Sequence, residues 1–337
     1  MTVKLPPALQ KALEEELRTV AHKSLAGAAE ALSRRYRSAS SAPAGKMGPL
    51  LTSGDEVTAY AAARLPATFA AIHGALQQVK EVLPSLQPAT LVDAGAGPGT
   101  VMWAATTLWP GITRITLLER DINMIALGQR LAEAGDASLK EAAWLKLDLS
   151  QPGWEMEVSP AELVTASYVL GELPDGQREA FIARLWDLTQ QVLVVIEPGT
   201  PTGFGNVRRA RELLLKSGAH IIAPCPGEHA GPCPMVGDDW CHFSRRVERS
   251  RLHRQLKAGD LSYEDEKYSY IAASRGAAEV VVPGRIIRHP QIRKGHIYLQ
   301  TCKGNELVGT VVTRADRELY KKGRDARWGA IWPPQPQ

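Results

Sequence analysis

The sequence predicts an α/β fold: a parallel sheet with crossover helices, entered through a helical N-terminal region and followed by a cysteine-rich, strand-containing extension. Three observations carry the prediction. Leucines and alanines recur at helical spacing up to about residue 85. From about residue 88, short β-branched runs alternate with helical stretches. Beyond them, "APCPGEHAGPCPMVGDDWCHF" (223–243) gathers three of the four cysteines into one Pro/Gly-rich segment.

Residues 5–85 read as helical. Pro6 and Pro7 precede "ALQKALEEELRTVAHKSLAGAAEALSRRY", and "DEVTAYAAARLPATFAAIHGALQQVKEVL" resumes the pattern after the Ser/Pro/Gly loop "RSASSAPAGKMGPLLTSG". The clearest strands are "TLVDAG" (90–95), "RITLLE" (114–119), "ELVTASYVL" (162–170) and "QVLVVIEP" (191–198). "GTVMWAATTLW", "NMIALGQRLAEAG" and "DGQREAFIARLWDLT" between them suit helices. After Pro198 come a basic helix, "NVRRARELLLKSG", then the cysteine segment, then the strand candidates "YSYIAASR", "HIYLQTC" and "ELVGTVVTR". The corresponding divisions are a helical region over 1–86, a Rossmann-like core over 87–218, and a cysteine-rich basic region over 219–337 that completes the sheet.

A chain of 337 residues with 44% hydrophobic and 23% charged residues has ample material for a buried core. It contains no run of eighteen apolar residues, and its first twenty residues mix Lys4 with Glu14, Glu15 and Glu16, unlike a signal or transit segment. The expectation is a cytosolic protein with no membrane association. In that reducing compartment four cysteines point to metal ligands, catalytic thiols or small buried residues before disulfides. Net charge is +4 but unevenly spread: from Val207 onward there are 23 Lys and Arg against 14 Asp and Glu, and before it 17 against 22.

"LVDAGAGPGT" (91–100) closes a strand and opens a helix, so Gly95, Gly97 and Gly99 would form a turn over which a ligand meets bare backbone. The spacing is G-x-G-x-G, not the G-x-G-x-x-G of dinucleotide sites. Asp93, two residues before the first glycine, matches the arrangement of class I S-adenosylmethionine (SAM) methyltransferases, where a carboxylate meets the ligand's cationic amino-acid end. Glu119 closes the next strand, where it can accept from both ribose hydroxyls, and Asp148 in "WLKLDLSQ" stands near the expected adenine amine. No catalytic residue is assigned. The fourth strand is followed by "SYVLGELPDG", with no Asn/Asp-Pro-Pro-Tyr motif and no cysteine nucleophile; Glu172 and Glu197 are the acids nearest the expected methyl position.

The thiols follow Cys225-x7-Cys233-x7-Cys241-x60-Cys302. Zinc knuckles place two ligands two to four residues apart, so gaps of seven demand an open loop. Four thiolates on such a loop and a distant strand suit an iron–sulfur cluster, and prolines after Cys225 and Cys233 restrict both to extended geometry. A zinc site completed by His229 or His242, and a site without metal, remain alternatives.

"LVDAGAGPGT", "SYVLGELP", "VVIEPGTPTGF", "CPMVGDDWCHFSRRVERSRLHRQLK" and "EDEKYSYIAASR", in this order, resemble the ribosomal small-subunit methyltransferase-like family, which has bacterial and mitochondrial members. The resemblance covers about residues 55–325. It implies a SAM-type fold, association with the small ribosomal subunit and its rRNA during assembly, and a 4Fe-4S cluster on Cys225, Cys233, Cys241 and Cys302. The same match carries the SAM side to Asp93, Gly95, Gly97 and Glu119. A bacterial cytoplasm is the expected compartment, or the mitochondrial matrix for a eukaryotic chain. The resulting expectation is a small-subunit assembly factor; the alternatives are an active SAM-dependent rRNA methyltransferase and a zinc-containing RNA-binding protein.

"SRRVERSRLHRQLKAGD" follows Cys241, and read as one helix it offers Arg245, Arg246, Arg249, Arg251, Arg254 and Lys257 to phosphates, with Arg245, Arg246 and Arg249 on one face. "RIIRHPQIRKGH" and "RELYKKGRDARWG" add cations, the second with Tyr320 and Trp328 to stack on unpaired bases.

Overall fold

A computed structural model describes residues 3–18, 54–225, 231–248 and 263–334. The centre is built from strands apolar enough to be buried on both faces. β1 (Thr90–Ala94) is buried along its whole length, and β2 (Arg114–Glu119) and β4 (Ala161–Ser167) flank it in parallel register. β3 (Ala143–Lys146) continues beyond β2 and β5 (Thr189–Pro198) beyond β4, also in parallel. Three further strands complete the sheet: β6 (His220–Ala223), β7 (Phe243–Glu248) and the long β8 (Tyr263–Ser274). β8 runs antiparallel to β5 and pairs with both β6 and β7, giving the order β3-β2-β1-β4-β5-β8-β6 with β7 alongside β8. This is the class I SAM-methyltransferase, Rossmann-like arrangement that the sequence predicted.

The strand period of two divides the apolar residues between two cores. Leu91, Leu117, Leu163, Val194 and Tyr270 face one side, where they meet α1 (Pro7–Arg18), α2 (Gly54–Val82), α3 (Thr100–Leu108) and α4 (Ile122–Ala132). Val92, Leu118, Val164, Val195 and Ile271 face the other, against α6 (Arg178–Leu188) and α7 (Pro201–Lys216); the short α5 (Ala137–Lys140) precedes β3. The N-terminal helices are therefore one layer of the sandwich. Buried Ala59, Ala62, Ala71 and Ala75 give α2 a smooth face that lies close to the sheet. Each large aliphatic side chain buried in these cores contributes roughly 1.5–3 kcal/mol. α4 starts at Asp121, whose carboxylate accepts from the backbone N–H of Asn123 and Met124, and α7 starts at Thr200 with Pro201 in its first turn.

A second sheet follows: β9 (Arg285–Ile286), β10 (Gln291–Arg293), β11 (His296–Lys303) and β12 (Glu306–Thr313), with β11 paired to the other three. The amphipathic α8 (Arg317–Arg324) packs on it over Ile297, Leu299 and Val312. No described helix is long and apolar enough to cross a membrane.

Two expectations change. The fourth strand stops at Ser167, not at residue 170, because Tyr168 takes a left-handed conformation (φ 63°) and turns the chain away. The stretch after Cys241 begins as strand β7, not helix: its residues pair one for one with β8 from Phe243–Tyr268 to Glu248–Tyr263. Cross-strand pairing outweighed the helical spacing of its arginines.

Candidate functional site

Two sites emerge, one at the carboxyl ends of β1, β2 and β4, the other beside the second sheet. At the first, the chain leaves β1 through three glycines with positive φ, Gly95 (78°), Gly97 (53°) and Gly99 (78°), and Gly99 is the residue from which α3 starts. A Cβ on Gly95 would collide with the Val169 side chain, whereas one on Gly97 would point into open space. Gly97 is thus the point where a ligand can lie against backbone.

Asp93 is 1% exposed. Its Oδ1 accepts a 2.7 Å hydrogen bond from the Thr165 hydroxyl, and its Oδ2 is buried without a partner. Burial pushes its carboxyl up to about 7, against the opposing Thr165 hydrogen bond. A buried acceptor left open suits the donor end of a ligand. Glu119 Oε2 accepts from Gly97 N at 2.8 Å, while Oε1 accepts from the Arg120 and Asp121 amides, so this carboxylate ties β2 to the glycine loop. Asp148, expected to meet an adenine, is exposed and uses Oδ1 to accept from Ser150 N and Oγ; these bonds hold its carboxyl below the usual range. An Arg120–Glu172 ion pair of 3.4 Å joins the segments after β2 and β4, which flank β1.

Glu197, at the end of β5, is 1% exposed and accepts from Leu170 N (3.0 Å) and Asn206 Nδ2 (3.3 Å). Arg178 in turn donates to Asn206 Oδ1 at 3.0 Å. Burial pushes the Glu197 carboxyl up to about 7. It braces the turn after β4, a role for which the sequence carried no signal.

At the second site, Cys225 follows β6, Cys233 and Cys241 lie on the irregular segment before β7, and Cys302 lies on β11. All four are free thiols lining one cavity, shared with Pro224, Pro232, Pro234 and Met235. Burial pushes the Cys225 and Cys241 thiols up, and Cys302 to about 12; negative charge on Cys225 and Cys233 raises Cys241 and Cys302 further. The described residues include no ready-made cluster of His, Cys, Asp and Glu at metal-binding geometry. His242 stacks on Trp240 at 5.1 Å and meets the edge of Trp328 at 4.9 Å, so its ring is held by aromatics. His229 lies outside the described residues.

Of the residues expected to meet phosphates, Arg245 and Arg246 are described, on strand β7 and not on a helix. Arg245 and Arg246 are neighbours on a strand and point to opposite faces. Arg245 packs beside Gly74 of α2; Arg246 is held by Asp265 through two 2.8 Å hydrogen bonds and lies 3.8 Å over the Tyr263 ring. Arg249, Arg251, Arg254 and Lys257 lie outside the described residues. Trp328 is half-buried against the main core, with its Nε1 buried and the His242 ring 4.9 Å from its own. On α8, Lys321, Lys322 and Arg324 are exposed.

The family model described as "Mitochondrial small ribosomal subunit Rsm22" matches residues 54–333. The human "Ribosome assembly protein METTL17, mitochondrial" is 29% identical over 296 residues, 81% of this chain and 62% of that protein. The Saccharomyces cerevisiae "Ribosome assembly protein RSM22, mitochondrial" is 23% identical over 42% of this chain and 38% of its own length. The chain thus spans less than two thirds of these relatives. Among solved structures, a putative RNA methyltransferase from Pyrococcus horikoshii aligns with a TM-score of 0.39 at 14% identity, covering 75% of this chain and 98% of that one. An O-methyltransferase family protein from Burkholderia thailandensis gives a TM-score of 0.43 at 13% identity, covering 67% and 61%.

Proposed function

The chain belongs to the mitochondrial small ribosomal subunit Rsm22 family, and from that premise we propose that it is a small-subunit assembly factor, with a SAM pocket and a structural 4Fe-4S cluster, that docks on rRNA. The observation that carries the reading is the convergence of Cys225, Cys233, Cys241 and Cys302, from three separate stretches of chain, on one cavity. Their donor set is all sulfur, the chemistry an iron–sulfur core requires, and the core would supply a crosslink between β6, the segment before β7 and β11. Mitochondrial relatives favour the mitochondrial matrix over a bacterial cytoplasm. Protein purified without air should carry iron and inorganic sulfide and absorb in the visible. A colourless protein with stoichiometric zinc would replace the cluster with the zinc alternative. Cys233→Ala should lose small-subunit association; normal association would break the link between cluster and docking.

At the first site, Gly97 and the open Asp93 Oδ2 favour a bound SAM, whose amino-acid end would meet Asp93 and whose ribose would meet Glu119. The same glycine loop and Asp93 would also serve a second reading, methyl transfer to rRNA. Labelled SAM incubated with immature small subunits separates the two: label in RNA establishes an enzyme, while binding without transfer establishes a factor that uses SAM as a ligand.

A further inference from the structure

Beside the cysteine cavity lies a buried arginine that makes no ion pair among the described residues. Arg285, on β9, is 0% exposed. Its Nε donates to Pro224 O at 2.7 Å, and its Nη1 donates to Gln78 Oε1 at 2.7 Å and Gly329 O at 2.9 Å. Its Nη2 is buried with no hydrogen-bond partner. All three acceptors are neutral, and among the described residues Arg285 forms no ion pair. Glu81 of α2 senses its charge, yet the two form no ion pair.

An arginine does not escape this situation by losing its proton. Burying an ionised group without an opposite charge costs several kcal/mol, and hydrogen bonds to neutral oxygens offset only part of that. The location of the guanidinium indicates where compensation comes from. Arg285 stands directly opposite Cys302 in the β9–β11 pair, so the two side chains leave the same face of the sheet. Its Nε grips the carbonyl of Pro224, the residue before Cys225. A second buried cation, Arg211 of α7, also lines the cavity and donates to Gly231 O at 2.8 Å.

Four thiolates around a metal core of charge about +2 leave a centre of roughly −2, whereas a histidine in place of one thiolate removes a unit of that negative charge. Resting on the metal reading above, we infer that Arg285 is the counter-cation and positioning residue of an anionic, all-thiolate metal centre, setting Cys225 and Cys302 in place and excluding His242 from the ligand set. This is a statement about ligand charge, so it holds for iron–sulfur and for zinc alike.

The test uses the full chain, as wild type, Arg285→Met and Arg285→Lys, each purified without air and each also stripped with a chelator. The loaded Arg285→Met protein should release its metal to the chelator about tenfold faster than wild type, with Arg285→Lys recovering much of the loss. Its melting temperature should drop further in the loaded form than in the stripped form, because stripping removes the negative charge that the arginine balances. Equal drops in both forms would mean that Arg285 is only a hydrogen-bonding brace, and the inference falls. Should the Met variant not fold, Arg285→Gln, which keeps side-chain hydrogen bonding without the charge, decides by the same readouts: faster metal release with a larger melting-temperature drop in the loaded form supports the inference, and equal drops overturn it. Zinc found on four sulfurs would remove the iron–sulfur reading and leave this inference standing. A wild type with neither metal ends both.

Discussion

Asp93 and Thr165 face each other across the paired strands β1 and β4, the threonine hydroxyl donating to Oδ1 at 2.7 Å while Oδ2 stays buried and open. The contact orients the carboxyl without neutralising it. Asp93→Asn should therefore keep the fold and lower SAM affinity at least about tenfold, the worth of one charge-assisted hydrogen bond, measured by calorimetry.

The same carboxyl makes the ligand-free protein sensitive to pH. Asp93 keeps its proton in the folded state up to about 7, while the unfolded chain releases it near 3.8, so between those values the folded state binds more protons. Stability from this group is fully present below the lower value and is lost as pH rises through the upper one. Glu197 adds a window of the same sign, from 4.5 to about 7. Thermal melts should fall from pH 5 to pH 8, and Asp93→Asn should flatten part of that decline. SAM affinity should change the opposite way, strengthening as Asp93 ionises.

Gly95 and Gly97 separate stability from binding. Both have positive φ, but only Gly95 also has a side chain in the way. Gly95→Ala should destabilise by about 3 kcal/mol, and Gly97→Ala by about 1 kcal/mol, in denaturant titrations. Gly97→Ala, still folded, should nonetheless bind SAM poorly.

Glu197→Ala leaves Leu170 N and Asn206 Nδ2 without their acceptor in a buried site. The expected loss is about 1–3 kcal/mol. Glu197→Gln, which keeps one carbonyl oxygen, should lose less.

If the basic C-terminal part docks on rRNA, the exposed Lys321 and Lys322 of α8 are among the cations that can reach phosphates, whereas Arg246 is held by Asp265. Lys321→Glu with Lys322→Glu should weaken RNA binding and reduce the slope of log affinity against log salt by about 2. An unchanged slope would remove these two lysines from the RNA contact.

The central parallel strands were legible as short β-branched and leucine-rich runs bounded by turn residues; "RITLLE" and β2 coincide residue for residue. The glycine loop was legible because positive φ leaves few other choices of residue. The course of β7 was hidden, since "FSRRVE" becomes a strand through its pairing with β8, whose register a local pattern does not encode. Glu197 and Arg285 were hidden for a related reason: a charged residue within an apolar run looks the same whether it meets water or a buried partner. The meeting of Cys302 with the other thiols depends on the second sheet folding back beside β6, which spacing alone leaves open.

The position of β8 between β5 and β6 bears on how the chain matures as it is synthesised. β1 to β5 leave the exit tunnel first and can pair, but the outer edge of β5 has no neighbour until Tyr263–Ser274 has emerged, after the entire cysteine segment. During that interval an apolar edge strand stands open to chaperones or to another nascent copy. Translation thus delivers the three cysteines before β7 to the folding molecule ahead of the strand that closes the sheet.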